Sequence, residues 1–136
     1  MTPNPGPALH AGPLTLAFDI GGTGLKAAVL DVSGSLVGER VRVATTYPVG
    51  PDQMVTELVA LAGQLSGYER ISAGFPGYVR GGMVLSAPHF VTKGGPGTKV
   101  LPELVKQWDR YPLAEALDKA LGKPTRTANS VSLAKE

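Results

Sequence analysis

The 136-residue sequence contains no cysteine, which excludes a disulfide framework, a thiolate metal site and a cysteine nucleophile. No apolar run approaches the ~18 residues that a membrane-spanning helix requires, and the chain start lacks a basic segment followed by an apolar one. Lysine and arginine total 13 but occur singly, without the runs typical of nucleic-acid-binding surfaces. We therefore predict a cytoplasmic protein with no membrane and no nucleic-acid partner.

The rest of the composition is that of a globular protein, because 43% of the residues are hydrophobic and 18% are charged. Glycine (18 residues) and proline (12 residues) are abundant, and many of them lie in residues 1–13 and 92–102. The first stretch, MTPNPGPALHAGP, predicts a flexible leader, and the second, TKGGPGTKVLP, predicts a surface loop. Residues 14–136 are then expected to form one domain.

Hydrophobic patterning predicts an α/β fold. Three successive strands without helices between them indicate an antiparallel meander, and the helical connections that follow indicate parallel strands beside it. Asp52 is expected to cap the first helix. Strands are predicted at 14–20, 25–31, 36–43, 70–77 and 124–128, helices at 52–65 and 112–122, and a small hairpin at 78–86.

The most distinctive stretch, LAFDIGGTGLKAAVLDVSG (residues 16–34), places glycines between two apolar runs. Its GTGLKA segment matches the G-x-G-x-x-A dinucleotide fingerprint, which requires a helix to begin at this turn. The following LKAAVLDV is apolar and typical of a strand, and the Walker pattern G-x-x-x-x-G-K-[ST] is absent. Strand–turn–strand is therefore favoured over a dinucleotide-binding unit.

Such a turn has two interpretations. In the first, the amides of Gly21, Gly22, Thr23 and Gly24 bind a phosphate, the Thr23 hydroxyl adds a donor, and Asp19 holds Mg²⁺ through water. In the second, the turn is an ordinary hairpin whose glycines only supply positive φ angles. Spacing alone leaves both interpretations open.

The segment FDIGGTGLKAAVLD (residues 18–31) closely resembles the first phosphate loop of the ROK sugar kinases, which belong to the actin/hexokinase/Hsp70 fold group. The similarity continues in RISAGFPGYVRGGMVLSAPHF (residues 70–90) and PLAEALDKALGKPTRTAN (residues 112–129), in the family's order. Within the family, the likeness is greatest to the polyphosphate/ATP glucokinase branch, and it covers roughly residues 14–130.

This resemblance implies a ribonuclease-H-like lobe, a mixed five-stranded sheet with flanking helices. It also implies Mg²⁺-dependent phosphoryl transfer from ATP or polyphosphate to glucose or a similar hexose. By position, Asp19 would lie near the metal and the phosphates, and residues 21–24 would form the phosphate loop. Lys26 would approach phosphate, or else be an exposed strand lysine.

The resemblance also implies sugar-binding positions at Gly77, His89 and Asn129, and a catalytic position at Ser130. In the family, an aspartate at the last of these positions is the general base. A serine hydroxyl without a base beside it cannot accept a proton near neutral pH, and loss of such a base typically costs about 10²–10⁴ in rate. Ser130 is therefore expected to be non-functional as a base.

The chain stops six residues after Ser130, so the resemblance implies an N-terminal lobe at residues 14–136 without the second lobe. We therefore expect little or no phosphoryl transfer by this chain alone. The alternative is a non-catalytic sugar- and phosphate-binding module, or a self-assembling one. Self-association, as in a homodimer, would cover the lobe face that the second lobe otherwise contacts.

Overall fold

The computed structural model describes residues 12–130. The predicted leader at residues 1–13 therefore lies outside the described residues, except for its last two positions. Within residues 12–130, no helix combines the length and the apolar composition needed to cross a bilayer. The strands are β1 (Thr15–Ile20), β2 (Gly24–Leu30), β3 (Leu36–Ala44), β4 (Arg70–Phe75), β5 (Val79–Arg80), β6 (Met83–Val84) and β7 (Thr125–Asn129), and the helices are α1 (Pro51–Ala62), α2 (Pro102–Trp108) and α3 (Leu113–Leu121).

Five of these strands form one mixed sheet in the order β3-β2-β1-β4-β7. The first three strands form the antiparallel meander that the sequence predicts. Strand β4 then pairs with β1 in parallel, and β7 pairs with β4 in parallel. Strands β5 and β6 form the predicted small hairpin. The predicted α/β class and the mixed five-stranded sheet are both confirmed.

One face of the sheet is buried and the other is partly exposed, as the alternation in β1 shows. Leu16, Phe18 and Ile20 are buried, whereas Asp19 is exposed on the opposite side. We call this opposite side the Asp19 face. Helices α1 and α3 contribute to the same core as the buried face, through side chains at helical spacing: Met54, Leu58 and Leu61 in α1, and Leu113 and Leu117 in α3.

Two features of the helices differ from the prediction. Helix α2 is absent from the sequence prediction because its seven residues bury only Leu104 and Trp108, too few to show a helical period. The prediction that Asp52 caps α1 is wrong, since the helix begins at Pro51 and its N-cap is Gly50. Pro51 lacks an amide hydrogen and has a restricted φ, so it suits the first helical position and places the helix start before Asp52.

Trp108, the single tryptophan of the chain, connects α2 to the carboxyl end of β4. Its ring centroid lies 5.6 Å from that of Phe75 and 5.4 Å from that of Phe90. Its indole N–H donates a 3.0 Å hydrogen bond to the Val49 carbonyl. Because Trp108 is only 1% exposed, its removal would leave a cavity and an unpaired carbonyl.

We expect Trp108→Ala to lower the free energy of unfolding by about 3–5 kcal/mol, as large-to-small changes in packed cores do. The matched control is Val105→Ala on the same helix, where the side chain is 44% exposed. There the expected change is below about 0.5 kcal/mol. Urea denaturation followed by circular dichroism measures both variants. Similar losses in the two would show that Trp108 does not anchor the core.

Candidate functional site

The turn between β1 and β2 is a tight hairpin of residues Gly21–Gly24, which we call the glycine hairpin. The Gly21 amide donates a 3.0 Å hydrogen bond to the Gly24 carbonyl, which leaves Gly22 and Thr23 as a two-residue loop. The Gly21 amide is thus used inside the hairpin and is not available to a ligand. The Gly22 and Thr23 amides have no hydrogen-bond acceptor within residues 12–130.

Glycine is required in this hairpin by lack of space and not by positive φ angles. None of Gly21, Gly22 and Gly24 has a positive φ. The ordinary-hairpin interpretation assumed that the glycines supply positive φ angles, and the structure does not show this. A Cβ atom at Gly21 would lie 2.8 Å from the Gly24 carbonyl oxygen, closer than real Cβ contacts. The backbone is therefore packed too closely at this point for a side chain to fit.

Three of the four carbonyl groups of the glycine hairpin, those of Gly21, Gly22 and Thr23, are bonded to the segment that follows β3, residues 45–47. The Thr45 hydroxyl donates to the Gly21 carbonyl at 2.7 Å, and the Thr45 amide donates to the Thr23 carbonyl at 3.1 Å. The Tyr47 hydroxyl donates to the Gly22 carbonyl at 2.6 Å. Three successive carbonyls are therefore turned toward the 45–47 segment.

These bonds also orient the hairpin amides. In a planar trans peptide, the C=O of one residue and the N–H of the next point in opposite directions. The bond at the Gly21 carbonyl therefore turns the Gly22 amide away from Thr45, and the bond at the Gly22 carbonyl turns the Thr23 amide away from Tyr47. Two successive amides directed outward in this way can bind an anion.

The Tyr47 side chain is itself held by the core. Its ring stacks on Phe90 at 6.3 Å between centroids, and Phe90 in turn contacts Phe75 and Trp108. Burial raises the pKa of the Tyr47 hydroxyl above its ordinary value. Since an unperturbed tyrosine already has a pKa of about 10, this hydroxyl remains a protonated donor to the Gly22 carbonyl at neutral pH.

Asp19 and Lys26 lie opposite each other on β1 and β2, and both are exposed on the Asp19 face. On the other side of Asp19, β4 places Gly74, which has no side chain. Within residues 12–130, no three His, Asp or Glu side chains are grouped as a metal site. A single carboxylate beside the hairpin amides fits Mg²⁺ that is bound through water and held mainly by phosphate oxygens.

The predicted sugar-binding residues Gly77 and Asn129 are joined directly. The Asn129 side-chain amide donates a 2.6 Å hydrogen bond to the Gly77 carbonyl. A Cβ atom at Gly77 would overlap the Ser86 carbonyl oxygen, so only glycine fits there. Asn129 ends β7 and Gly77 lies just beyond β4, so both lie at the edge where the parallel strands end.

His89, also predicted to border the sugar, lies next to the glycine hairpin. Atoms of its imidazole are 3.4 Å from the position that a Cβ atom would take at Gly22. Its ring contacts Phe90 edge-on at 6.4 Å between centroids, and Phe90 contacts Phe75 at the end of β4. His89 thus lies beside the glycine hairpin, and the next residue, Phe90, contacts the end of β4.

Ser130 follows Asn129 directly, at the position where the sequence resemblance implies a general base. Its hydroxyl oxygen is buried and has no hydrogen-bond partner within residues 12–130. No carboxylate or imidazole within the described residues is bonded to it and able to receive its proton. The geometry therefore agrees with a serine that takes no part in proton transfer.

Three residues near the hairpin were not singled out by the sequence: Arg42, Thr45 and Tyr47. The hydroxyls of Thr45 and Tyr47 bond to residues 24 and 25 positions earlier in the chain, so no local spacing indicates them. The Arg42 guanidinium lies against Gly24 because β2 pairs with β3, which brings together residues that are distant in the sequence. The available signal was their position at the end of a strand predicted to pair with β2.

We expect Tyr47→Phe to lower the free energy of unfolding by about 1 kcal/mol, because the ring is retained while the bond to the Gly22 carbonyl is lost. The control is Tyr78→Phe, since the Tyr78 side chain is 72% exposed and the variant should match the wild type. Urea denaturation provides the measurement. An unchanged midpoint for Tyr47→Phe would mean that its hydroxyl does not hold the hairpin.

Comparisons with known proteins place this arrangement in a family. Residues 15–135 match the ROK family, and no curated protein matches the chain. The polyphosphate/ATP-glucomannokinase from Arthrobacter sp. strain KM is 27% identical, with a TM-score of 0.68 over 87% of this chain and 44% of that chain. A ROK family glucokinase from Streptomyces griseus, solved with glucose and AMPPNP, is 26% identical, with a TM-score of 0.65 over 85% of this chain and 33% of that chain.

A ROK family protein from Streptococcus pneumoniae TIGR4, solved with sucrose, shares the fold at 21% identity, with a TM-score of 0.56 over 85% of this chain and 34% of that chain. The chain therefore spans less than half the length of each of these solved proteins. The family match, in contrast, extends over most of the chain. This protein belongs to the ROK family, and its described residues form one lobe of the actin-like fold.

Proposed function

We propose that this chain is the phosphate- and sugar-binding lobe of a ROK sugar kinase. The activity proposed for the parent protein is transfer of a phosphoryl group from ATP or polyphosphate to glucose or a similar hexose. The observation that carries the proposal is the glycine hairpin, whose carbonyls are bonded to Thr45 and Tyr47 while the Gly22 and Thr23 amides are directed outward.

On the donor side, the Gly22 and Thr23 amides would bind oxygens of a donor phosphate, and the exposed Thr23 hydroxyl would add a third donor. Asp19 would hold Mg²⁺ through water, together with the phosphates. When bound, Mg²⁺ would neutralise charge that develops on the transferred phosphoryl group. Lys26 lies directly opposite Asp19 on β2 and would add positive charge on the same side.

On the acceptor side, the polar groups of Asn129 and His89 lie near the sheet edge at which β1, β4 and β7 end. The bond from Asn129 to the Gly77 carbonyl holds the ends of two neighbouring strands together. Hydroxyl groups of a hexose would bond to Asn129 and His89 while the phosphate lies on the adjacent hairpin. Two of the similar proteins support this substrate class, since one is a glucomannokinase and the other was solved with glucose.

The step that this chain is not equipped to perform is proton removal from the attacking hydroxyl. Ser130 occupies the position of the implied base, and its hydroxyl has no partner within residues 12–130 that would accept its proton. Phosphoryl transfer depends mainly on positioning and charge stabilisation, so ligand binding does not require that base. We therefore propose that binding is retained in this chain and catalysis is not.

The donor half of the proposal predicts that Mg²⁺ strengthens the binding of inorganic tripolyphosphate to the wild-type chain. We expect Asp19→Asn to remove most of this Mg²⁺ dependence, because the substitution eliminates the carboxylate that would hold the ion. The control is Glu39→Gln, which removes an exposed carboxylate from β3. Isothermal titration calorimetry with and without MgCl₂ measures the effect. An unaltered Mg²⁺ dependence in Asp19→Asn would contradict the role of Asp19.

The catalytic half predicts that the purified chain forms no glucose phosphate above the uncatalysed background, with either ATP or polyphosphate as donor. A coupled glucose 6-phosphate assay tests this, and a ligand-binding measurement on the same sample shows that the protein is folded. Turnover in the ordinary enzymatic range, about 1 s⁻¹ or faster, would contradict the assignment of Ser130. Sugar and phosphate binding without turnover is the outcome that the proposed function predicts.

A further inference from the structure

Arg42 is an exposed cation on β3 that stands in one row with Lys26 and Asp19. Strand pairing places Arg42 directly opposite Lys26, and Lys26 directly opposite Asp19. Directly opposed residues lie on the same side of a sheet, so all three belong to the Asp19 face. Neighbouring strands are about 4.8 Å apart, so the row extends roughly 10 Å from the carboxylate to the arginine strand.

The Arg42 side chain leans from this row toward the glycine hairpin. Its Nη2 lies 2.8 Å from the position that a Cβ atom would take at Gly24, and its Cζ and Nε lie 3.6 Å from the same position. Gly24 pairs with Ala44, two positions closer to the hairpin than the Lys26–Arg42 pair. The guanidinium therefore rests on the last residue of the hairpin, and a Cβ atom at Gly24 would force it to shift.

This position of Arg42 is not explained by an ion pair. Within residues 12–130, no carboxylate lies within salt-bridge distance of Arg42 or Lys26. Two cations and one carboxylate thus give the row a net positive charge beside two outward-directed amides. A guanidinium presents paired N–H donors that match the spacing of two phosphate oxygens. The ammonium group of a lysine carries the same charge but lacks this paired geometry.

We propose that Arg42, held against Gly24, binds the phosphate chain of the donor beyond the phosphate that lies on the glycine hairpin. The ligand chemistry is a linear oligophosphate, whether inorganic or the triphosphate of a nucleotide. A single phosphate accepts hydrogen bonds from the Gly22 and Thr23 amides, and a chain of two or more phosphates extends along the Asp19 face to the guanidinium. This role rests on the proposed function, because it assumes that phosphate binds at the hairpin.

The test is calorimetric titration of the wild-type chain and of Arg42→Ala with sodium tripolyphosphate, ATP and orthophosphate, each with MgCl₂. We expect Arg42→Ala to weaken tripolyphosphate binding about tenfold or more, as loss of a charge-assisted hydrogen bond does. Orthophosphate binding should change far less. The matched control is Arg40→Ala, which removes the same charge from an exposed position on the same strand and should stay near the wild type.

Two further variants separate position from charge. Arg42→Lys keeps the positive charge but loses the paired N–H donors of the guanidinium, so its affinity for tripolyphosphate should lie between those of Arg42→Ala and the wild type. Gly24→Ala keeps Arg42 but displaces its guanidinium, and it should weaken tripolyphosphate more than orthophosphate. Circular dichroism confirms that each variant is folded. Weaker binding of ATP, of tripolyphosphate or of both in Arg42→Ala supports the role of Arg42. The ligand that is affected shows whether the phosphate chain belongs to a nucleotide, to inorganic polyphosphate or to either.

The outcomes that overturn the proposal are distinct from those that overturn the proposed function. Equal weakening by Arg42→Ala and Arg40→Ala, or equal effects of Arg42→Ala on orthophosphate and tripolyphosphate, would show that Arg42 is not a phosphate-chain ligand. The proposed function would then stand without it. Absence of any phosphate binding by the folded wild-type chain would overturn the proposed function and the role of Arg42 together.

Discussion

The candidate site depends on the hydrogen bonds that Thr45 and Tyr47 make to the carbonyls of the glycine hairpin. These bonds hold the carbonyls of Gly21, Gly22 and Thr23 in addition to the Gly21–Gly24 bond that closes the hairpin. Because each peptide group is planar, a hydrogen bond that fixes the direction of one carbonyl also fixes the direction of the next amide. The proposed anion site is thus formed by backbone groups that two side chains orient without needing to contact the anion.

These two side chains are positioned by larger structural elements. Thr45 follows β3 directly, so the pairing of β3 with β2 brings it to the hairpin. Tyr47 is held by its stacking on Phe90, which belongs to the aromatic cluster with Phe75 and Trp108. Because Phe75 ends β4 and His89 precedes Phe90, the same core also positions the proposed sugar-binding edge. The phosphate and sugar halves of the site therefore share one packed support.

Binding and proton transfer have different structural requirements in this lobe. The proposed phosphate binding at the hairpin needs correctly oriented backbone amides and nearby charge, and both are present within residues 19–47. Proton transfer needs a group whose pKa allows it to accept a proton, and Ser130 does not provide one. Under the proposed function, a ROK lobe keeps its ligand-binding geometry without a general base, since the two depend on different residues.

The sequence by itself determined the order and type of nearly all the secondary structure, because burial of one face leaves a period of two in strands and of 3.6 in helices. It also indicated the glycine hairpin and Asp19, which lie within a single short stretch. Only the tertiary structure decided the start of α1 at Pro51, the existence of α2, and the contacts of Arg42, Thr45 and Tyr47 with the hairpin. Those contacts join residues about 20 positions apart through strand pairing and core packing. Local sequence patterns do not indicate which distant residues will come into contact.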